Sequence, residues 1–401
     1  MAPSLRFPEF TGEWEKCKLG TLATKVGSGS TPKGGDAVYT SIGHYFVRSQ
    51  NVGMGFLMLD NIAHINDDIH QKHKATEIYE NDVLLNITGA SIGRTAVATK
   101  ELEGGNVNQH VCIIRTNSKV NPKFLCDYIQ TQRIQNHIKS LQTGGSREGL
   151  NFEQIRSFPI SLPSINEQNK LTCLLDKINE RIATQVRLID RLQSLMKALN
   201  DSLYEQYGND ITTSFAELGY SYSGLSGKST KDFGSGKPFI TYLNVYSNII
   251  VDETDYQYVC INDGEKQNIV RTGDVLFTLS SETPEEVGIG SVYLGKDEVY
   301  LNSFCFGIHI EREELAYSSY LPYYVSSTAF RKFIYPFAQG STRFNLCKAD
   351  FEKASIKLPS LDNQKRISAM LDCIAEKIQA EKAILEYYNI QRQYLLHHMF
   401  I

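Results

Sequence analysis

The residues best suited to chemistry lie in short segments mixing glycine, small hydroxyls and cations. The first half of the chain has four: Ser28-Gly29-Ser30-Thr31-Pro32-Lys33, Thr88-Gly89-Ala90-Ser91-Ile92-Gly93-Arg94, Asn106-Val107-Asn108-Gln109-His110 and Thr143-Gly144-Gly145-Ser146-Arg147. The second half offers Ser226-Gly227-Lys228-Ser229-Thr230-Lys231, Asn302-Ser303 and Gly340-Ser341-Thr342-Arg343, with Ser280 nearby in sequence context. Backbone N–H groups exposed by glycine, together with Ser and Thr hydroxyls, hydrogen-bond phosphate oxygens. Arg and Lys add charge and fork onto guanine edges, while Asn and Gln fit adenine. The same residues build ordinary turns, so both readings stand for any one segment. The candidates are Ser30, Thr31, Lys33, Thr88, Ser91, Arg94, Asn108, Gln109, His110, Ser146 and Arg147, then Lys228, Ser229, Lys231, Ser280, Asn302, Thr342 and Arg343. Arg147 and Arg343 recur at matching positions. Their alternative duty is to cap the following helix or pair with a carboxylate.

Catalytic signatures are missing from the motifs considered. Gly227-Lys228-Ser229 lacks the upstream glycine of a phosphate loop, because position 222 is Tyr. Gly27, Gly29, Gly34 and Gly35 do not have dinucleotide-loop spacing. No Asn-Pro-Pro-aromatic or Asp-Pro-Pro-aromatic tetrapeptide marks an amino-methyltransferase site, and no acidic-x-Lys pair marks a metal nuclease. His70 and His73 lack a third ligand nearby and read as solvated surface. The eight cysteines have no C-x-x-C pair, and most sit in apolar contexts, which predicts reduced, buried thiols in a cytoplasmic protein. No cofactor and no metal are expected. Nor is a membrane partner, since no apolar run approaches ~18 residues and the N-terminus lacks a signal layout. With 41 Lys+Arg against 45 Asp+Glu, the net charge of −4 excludes a simple polybasic coat but not a local basic face.

The elements that must position these segments occur twice. The 401 residues suit two or three domains at ~150 residues each. Shifting the sequence by 196 aligns Leu162-Pro163-Ser164 with Leu358-Pro359-Ser360, Gln168 with Gln364, Leu175-Asp176 with Leu371-Asp372, and runs ungapped to Leu199 and Leu395. Upstream, Asp82-Val83-Leu84 resembles Asp274-Val275-Leu276, and Asn108 resembles Asn302. The repeated unit is a globular α+β (or α/β-like) domain followed by a helix of ~40 residues. After each Pro-Ser, apolar residues recur in steps of four and three, interrupted at Gln185 and Glu381. Such a helix cannot bury its stripe alone. Pairing within one chain must be antiparallel, because the second helix has to run back. At ~1.5 Å per residue each helix is roughly 60 Å long, and the pair would keep the two domains a fixed distance apart. Pro122 to Ser140 and Ser318 to Phe333 each read as one helix.

The layout resembles the specificity (S) subunits of bacterial type I restriction-modification enzymes. The resemblance rests on Phe7-Pro8-Glu9-Phe10 with Gly12, Trp14, Glu15, Leu19 and Gly20, on Asn86 to Arg94, on Asn108-Gln109-His110-Val111, on Gly144 to Arg147 and on the two Leu-Pro-Ser helices. The second domain departs from it: Ser280-Ser281-Glu282 replaces the Thr-Gly-Ala block, and Phe304 stands near the counterpart of His110. The resemblance implies two target recognition domains, at 1–162 and 208–358, joined by a central conserved helix at 163–207 and a distal one at 359–401, with an internal pseudo-two-fold. Each domain would read half of a split, asymmetric site in double-stranded DNA. The helices would set the spacer and dock two methyltransferase (M) subunits, which carry S-adenosylmethionine; restriction (R) subunits would use ATP. This chain would be non-catalytic. The rival is a coiled-coil scaffold that binds proteins rather than DNA.

Overall fold

A computed structural model describes residues 3–142 and 149–401. The chain forms two compact units, one of Met1–Val186 with Ile384–Ile401, the other of Arg187–Ala383. The fold class is α+β, and the same architecture is built in each unit.

In the first unit a four-stranded antiparallel sheet runs in the order Ala23–Ser28, Val111–Thr116, Val83–Asn86, Thr95–Val97. Its two central strands, Val111–Thr116 and Val83–Asn86, read as near-continuous apolar runs because both faces are covered. Alternate residues point to opposite sides. Val83, Leu85, Cys112 and Ile114 join a core with Phe124, Tyr128 and Ile129. Leu84, Val111 and Ile113 join another with Val47 and Val107, which belong to a three-stranded sheet of Ala63–Ile65, His44–Val47 and Asn106–Val107. A short pair, Glu15–Lys18 with Pro159–Leu162, closes the unit.

The second unit repeats each layer. Gly219–Ser223, Cys305–Ile310, Val275–Thr278 and Gly290–Val292 form the four-stranded sheet. Tyr256–Val259, Phe233–Ile240 and Tyr300–Leu301 form the three-stranded one, and Ile211–Thr213 pairs with Ile356–Leu358. Val275, Phe277, Phe306 and Ile308 face Tyr324 and Phe330, whereas Leu276 and Cys305 face Ile240 and Leu301.

Two long helices follow the Pro-Ser dipeptides, Ile165–Tyr207 and Leu361–His398. The Ser164 hydroxyl caps the first by accepting the Glu167 N–H at 3.4 Å. Within the first unit, Leu171, Leu175 and Ile178 share a core with Leu395, Leu396, Met399 and Phe400. Arg392 donates to Asn179 Oδ1 at 2.7 Å, while the earlier Tyr388 shares a groove with the later Arg181 and Thr184. The helices therefore run antiparallel. Within the second unit, Leu199 and Leu203 pack with Ile367 and Leu371. The seam interruptions Gln185 and Glu381 are both buried, and Glu381 pairs with Lys377 at 2.5 Å.

Each helix is clipped to its domain by a fully buried glutamine. Gln168 donates to Pro163 O and Lys119 O at 2.9 and 3.1 Å and accepts the Asn121 N–H at 2.8 Å. Gln364 does the same with Pro359 O, Leu315 O and the Tyr317 N–H at 2.9, 2.8 and 2.7 Å. The opening segment adds a second clip in the first unit, where Arg6 forms a fork with buried Glu167 at 2.7 and 2.8 Å and Trp14 Nε1 donates to the same carboxylate at 3.3 Å.

Three expectations need correction. The helix read from Pro122 to Ser140 is two, Pro122–Gln130 and Gln132–Gln142. That read from Ser318 to Phe333 is likewise Leu321–Ser326 and Thr328–Ile334. At each break a hydroxyl residue, Thr131 or Ser327, turns extended and bonds back to the carbonyl three residues earlier at 2.7 Å. His70 is not solvated: it is buried, bonds Asn106 Oδ1 at 2.8 Å and stacks on His44 at 3.8 Å. All eight cysteines are free, but only Cys112, Cys126 and Cys305 are buried, their thiols pushed up to about 12 by burial; Cys173, Cys260 and Cys373 are exposed.

Candidate nucleic-acid interface

In the first unit the candidate loops converge where the two sheets meet. Asn108 is held from both sides: its N–H donates to Val47 O at 3.0 Å, and its side-chain oxygen accepts the His110 N–H at 3.0 Å. Gly29 sits against this turn, donating to Asn108 O at 3.1 Å. A Cβ there would lie 1.6 Å from Val107 O, so only glycine permits the approach. The Ile87 N–H donates to His110 O at 3.0 Å and places Thr88 alongside.

Four candidates then form one hydrogen-bonded set. Thr31 donates to Gln109 Oε1 through its N–H at 2.9 Å and also through its hydroxyl. Gln109 Nε2 lies 3.2 Å from His110 Nε2, and His110 Nδ1 lies 2.6 Å from Thr88 Oγ1. An amide nitrogen can only donate, so the network puts the imidazole proton on Nδ1, directed at Thr88. Among the described residues the Thr88 hydroxyl proton and one Gln109 N–H have no acceptor. Ser91 and Arg94 occupy the Gly89–Arg94 turn, with Gly89 and Gly93 at φ +70° and +84°. Arg94, Ser30 and Lys33 are exposed. Among the described residues the Arg94 guanidinium has no hydrogen-bond or ion-pair partner. Ser146 and Arg147 lie outside the described residues; Gly149, just beyond them, bridges Thr88.

The second unit rebuilds this backbone frame with other side chains. Asn302 donates to Ile240 O at 3.0 Å, and its side chain accepts the Phe304 N–H at 2.9 Å. Leu279 N donates to Phe304 O at 2.9 Å, as Ile87 does to His110. Ser280 corresponds to Thr88, but it is buried in a small sheet where Ser280–Ser281 pairs with Phe344–Leu346. Phe304 is exposed, and Arg343 lies over its ring at 5.8 Å. Thr342 and Lys231 are exposed. Lys228 is neutralised by Glu265 at 2.6 Å, which holds that carboxyl at about 2, and Ser229 bonds Asp232 at 2.7 and 2.8 Å. These two residues therefore brace their own loop.

Two residues join the interface that sequence reasoning did not select. Phe304 is one; its exposure beside Arg343 follows from the Asn302 turn. Arg48 directly follows the strand that carries Val47, stacks over Tyr39 at 5.6 Å and has a buried Nε with no partner among the described residues. Nothing in the sequence separates Arg48 from other arginines.

Two related domains, each presenting a polar loop cluster on a conserved frame and tied to a long helix, define a duplicated recognition protein. The family description "Type I restriction modification DNA specificity domain" matches residues 11–194 and 224–387, so the chain belongs to that family and carries two copies of its domain. It is 20% identical to a putative type I restriction enzyme MjaX specificity subunit of Methanocaldococcus jannaschii over 93% of this chain and 89% of that one. It is 24% identical to the EcoBI specificity subunit of Escherichia coli, over 40% of this chain and only 36% of the relative. Among solved structures, an S subunit from M. genitalium has a TM-score of 0.56 at 14% identity, covering 100% of this chain and 99% of that one. A chain from a type I R-M assembly study has a TM-score of 0.59 at 18% identity, covering 97% of each. Both likenesses concern the fold. Among the described residues no helix is long and apolar enough to cross a membrane.

Proposed function

We propose that this chain is the sequence-reading subunit of a type I restriction-modification complex and supplies no catalysis itself. Its recognition domains, 1–162 and 208–358, read the two halves of an asymmetric duplex target. The helices 163–207 and 359–401 set the spacer by their length and dock two M subunits; R subunits join that assembly. The observation that carries this reading is the paired frame at Asn108 and Asn302. An equivalent backbone arrangement displays Thr88, Gln109 and His110 in one unit but Phe304, with Arg343 over its ring, in the other. Duplication supplies two readers, and divergence at the tips lets them read different bases. Thr31, Thr88, Gln109 and Arg94 are assigned to the first half-site, and Arg343 with Phe304 to the second.

The test reconstitutes the chain with M subunits and maps methylated adenines across a genome. The expected result is one bipartite motif with a fixed spacer. Exchanging His110 for Phe should alter only one half of it. Methylation unaffected by the presence of this chain would overturn the reading, and so would protein binding with no salt-dependent affinity for DNA.

A further inference from the structure

A groove in the first unit runs between the Gly53–Phe56 loop and the long helix near Asp176, Asn179 and Glu180, with Asp127 at its floor. The loop is set by Gly53 donating to Phe56 O at 2.9 Å and Gly55 to Thr95 O at 2.8 Å. That geometry leaves the Phe56 ring 57% exposed at the rim. Asp127 is only 7% exposed, yet among the described residues its carboxylate has no hydrogen-bond or ion-pair partner. The nearby cations are already engaged. Arg392 donates to the neutral oxygens of Asn179 and Gln130 at 2.7 and 2.5 Å, and Lys123 pairs with Asp176 at 2.6 Å.

The second unit shows what a satisfied version looks like. Residue 323, matching Asp127 in the 196-residue repeat, is Tyr, and its hydroxyl donates to Asp372 Oδ1 at 2.5 Å. Asp372 matches Asp176 and lines the corresponding groove with Ala375 and Glu376. In the first unit a second carboxylate has replaced the donor. The Asp127 oxygens open onto the groove, where a ligand can supply the missing donor.

We propose that this groove receives a lysine or arginine side chain from a protein partner, with Asp127 as its buried acceptor and Phe56 as its apolar wall. The partner is the modification subunit, so the proposal rests on the function assigned above. The acidic lining, Asp127, Asp176 and Glu180, repels phosphate and rules against DNA as occupant. Among the described residues no group of three or more His, Cys, Asp or Glu is placed to hold a metal ion. Burial, reinforced by Asp176 and opposed by Arg392 and Lys123, pushes the Asp127 carboxyl up to about 7. The facing loop, Gly53–Phe56, carries no charge. A bound cation favours the ionised carboxylate, so docking should release a proton when the pH is below 7.

The experiment measures M-subunit affinity of the full-length chain between pH 6 and 8, for wild type, Asp127→Asn and Asp127→Tyr, with thermal melts to confirm folding. Wild-type affinity should rise by up to about tenfold per pH unit below pH 7. Asp127→Asn should abolish that rise and bind roughly tenfold more weakly at pH 8. Equal affinity and equal pH response in wild type and Asp127→Asn would overturn the proposal while leaving the functional reading intact. So would lost DNA affinity in a preassembled complex whose M affinity is unchanged. A wild-type chain that binds no M subunit at any pH would overturn both.

Discussion

At the scale of single residues, the paired turns separate what is shared from what is free to vary. Asn108 and Asn302 make equivalent bonds to a strand carbonyl and to their own turn, so both hold the frame. We expect Asn302→Ala to weaken folding of the second unit and to lower DNA affinity without selectively relaxing one base. Arg343→Ala should cost about 1–3 kcal/mol of DNA affinity in the assembled complex, read by titration at fixed salt, and should relax one half of the target. Arg147→Ala should do the same for the other half. Asp127 makes a separate prediction about stability. Its carboxyl is raised from 3.8 to about 7, so the folded chain binds a proton that the unfolded chain releases. That contribution is complete below pH ~4 and is lost as pH rises through 7, at most about 4 kcal/mol. Denaturant titrations at pH 5 and 8 should show the loss in wild type and not in Asp127→Asn.

At the scale of elements, the long helices and the doubled layers were legible in the sequence because their signals are periodic. The 196-residue shift aligned Gln168 with Gln364 before any bond was known, and both prove to be the buried clips at the helix starts. Either Gln→Ala substitution should cost about 1–3 kcal/mol, since a buried N–H and carbonyls lose their partner; a melt of the full chain reads it. The breaks at Thr131 and Ser327 were not legible. Apolar spacing continues across them, and only the hydroxyl bonding back to Tyr128 or Tyr324 interrupts the helix. Nor was the burial of His70 and Ser280, which depends on strands distant in sequence. The candidate loops were found by composition, but composition could not tell braced Lys228 from Arg94, which has no partner among the described residues. That distinction rests on Glu265, which a 37-residue span brings to Lys228.

At the scale of the whole molecule, the first unit is not a continuous stretch of chain, whereas the second is. The first unit completes its core with Leu395, Leu396, Met399 and Phe400, and Phe400 stacks on Phe124 at 5.4 Å. Phe400→Ala should therefore destabilise the amino-terminal recognition domain by about 3–5 kcal/mol, detectable as protease cutting between residues 15 and 160 rather than near the substitution. It also orders events during synthesis. The part translated first remains unfinished until residues 395–400 have left the ribosome, so a truncation or frameshift ahead of them disables the opening domain as surely as the closing one.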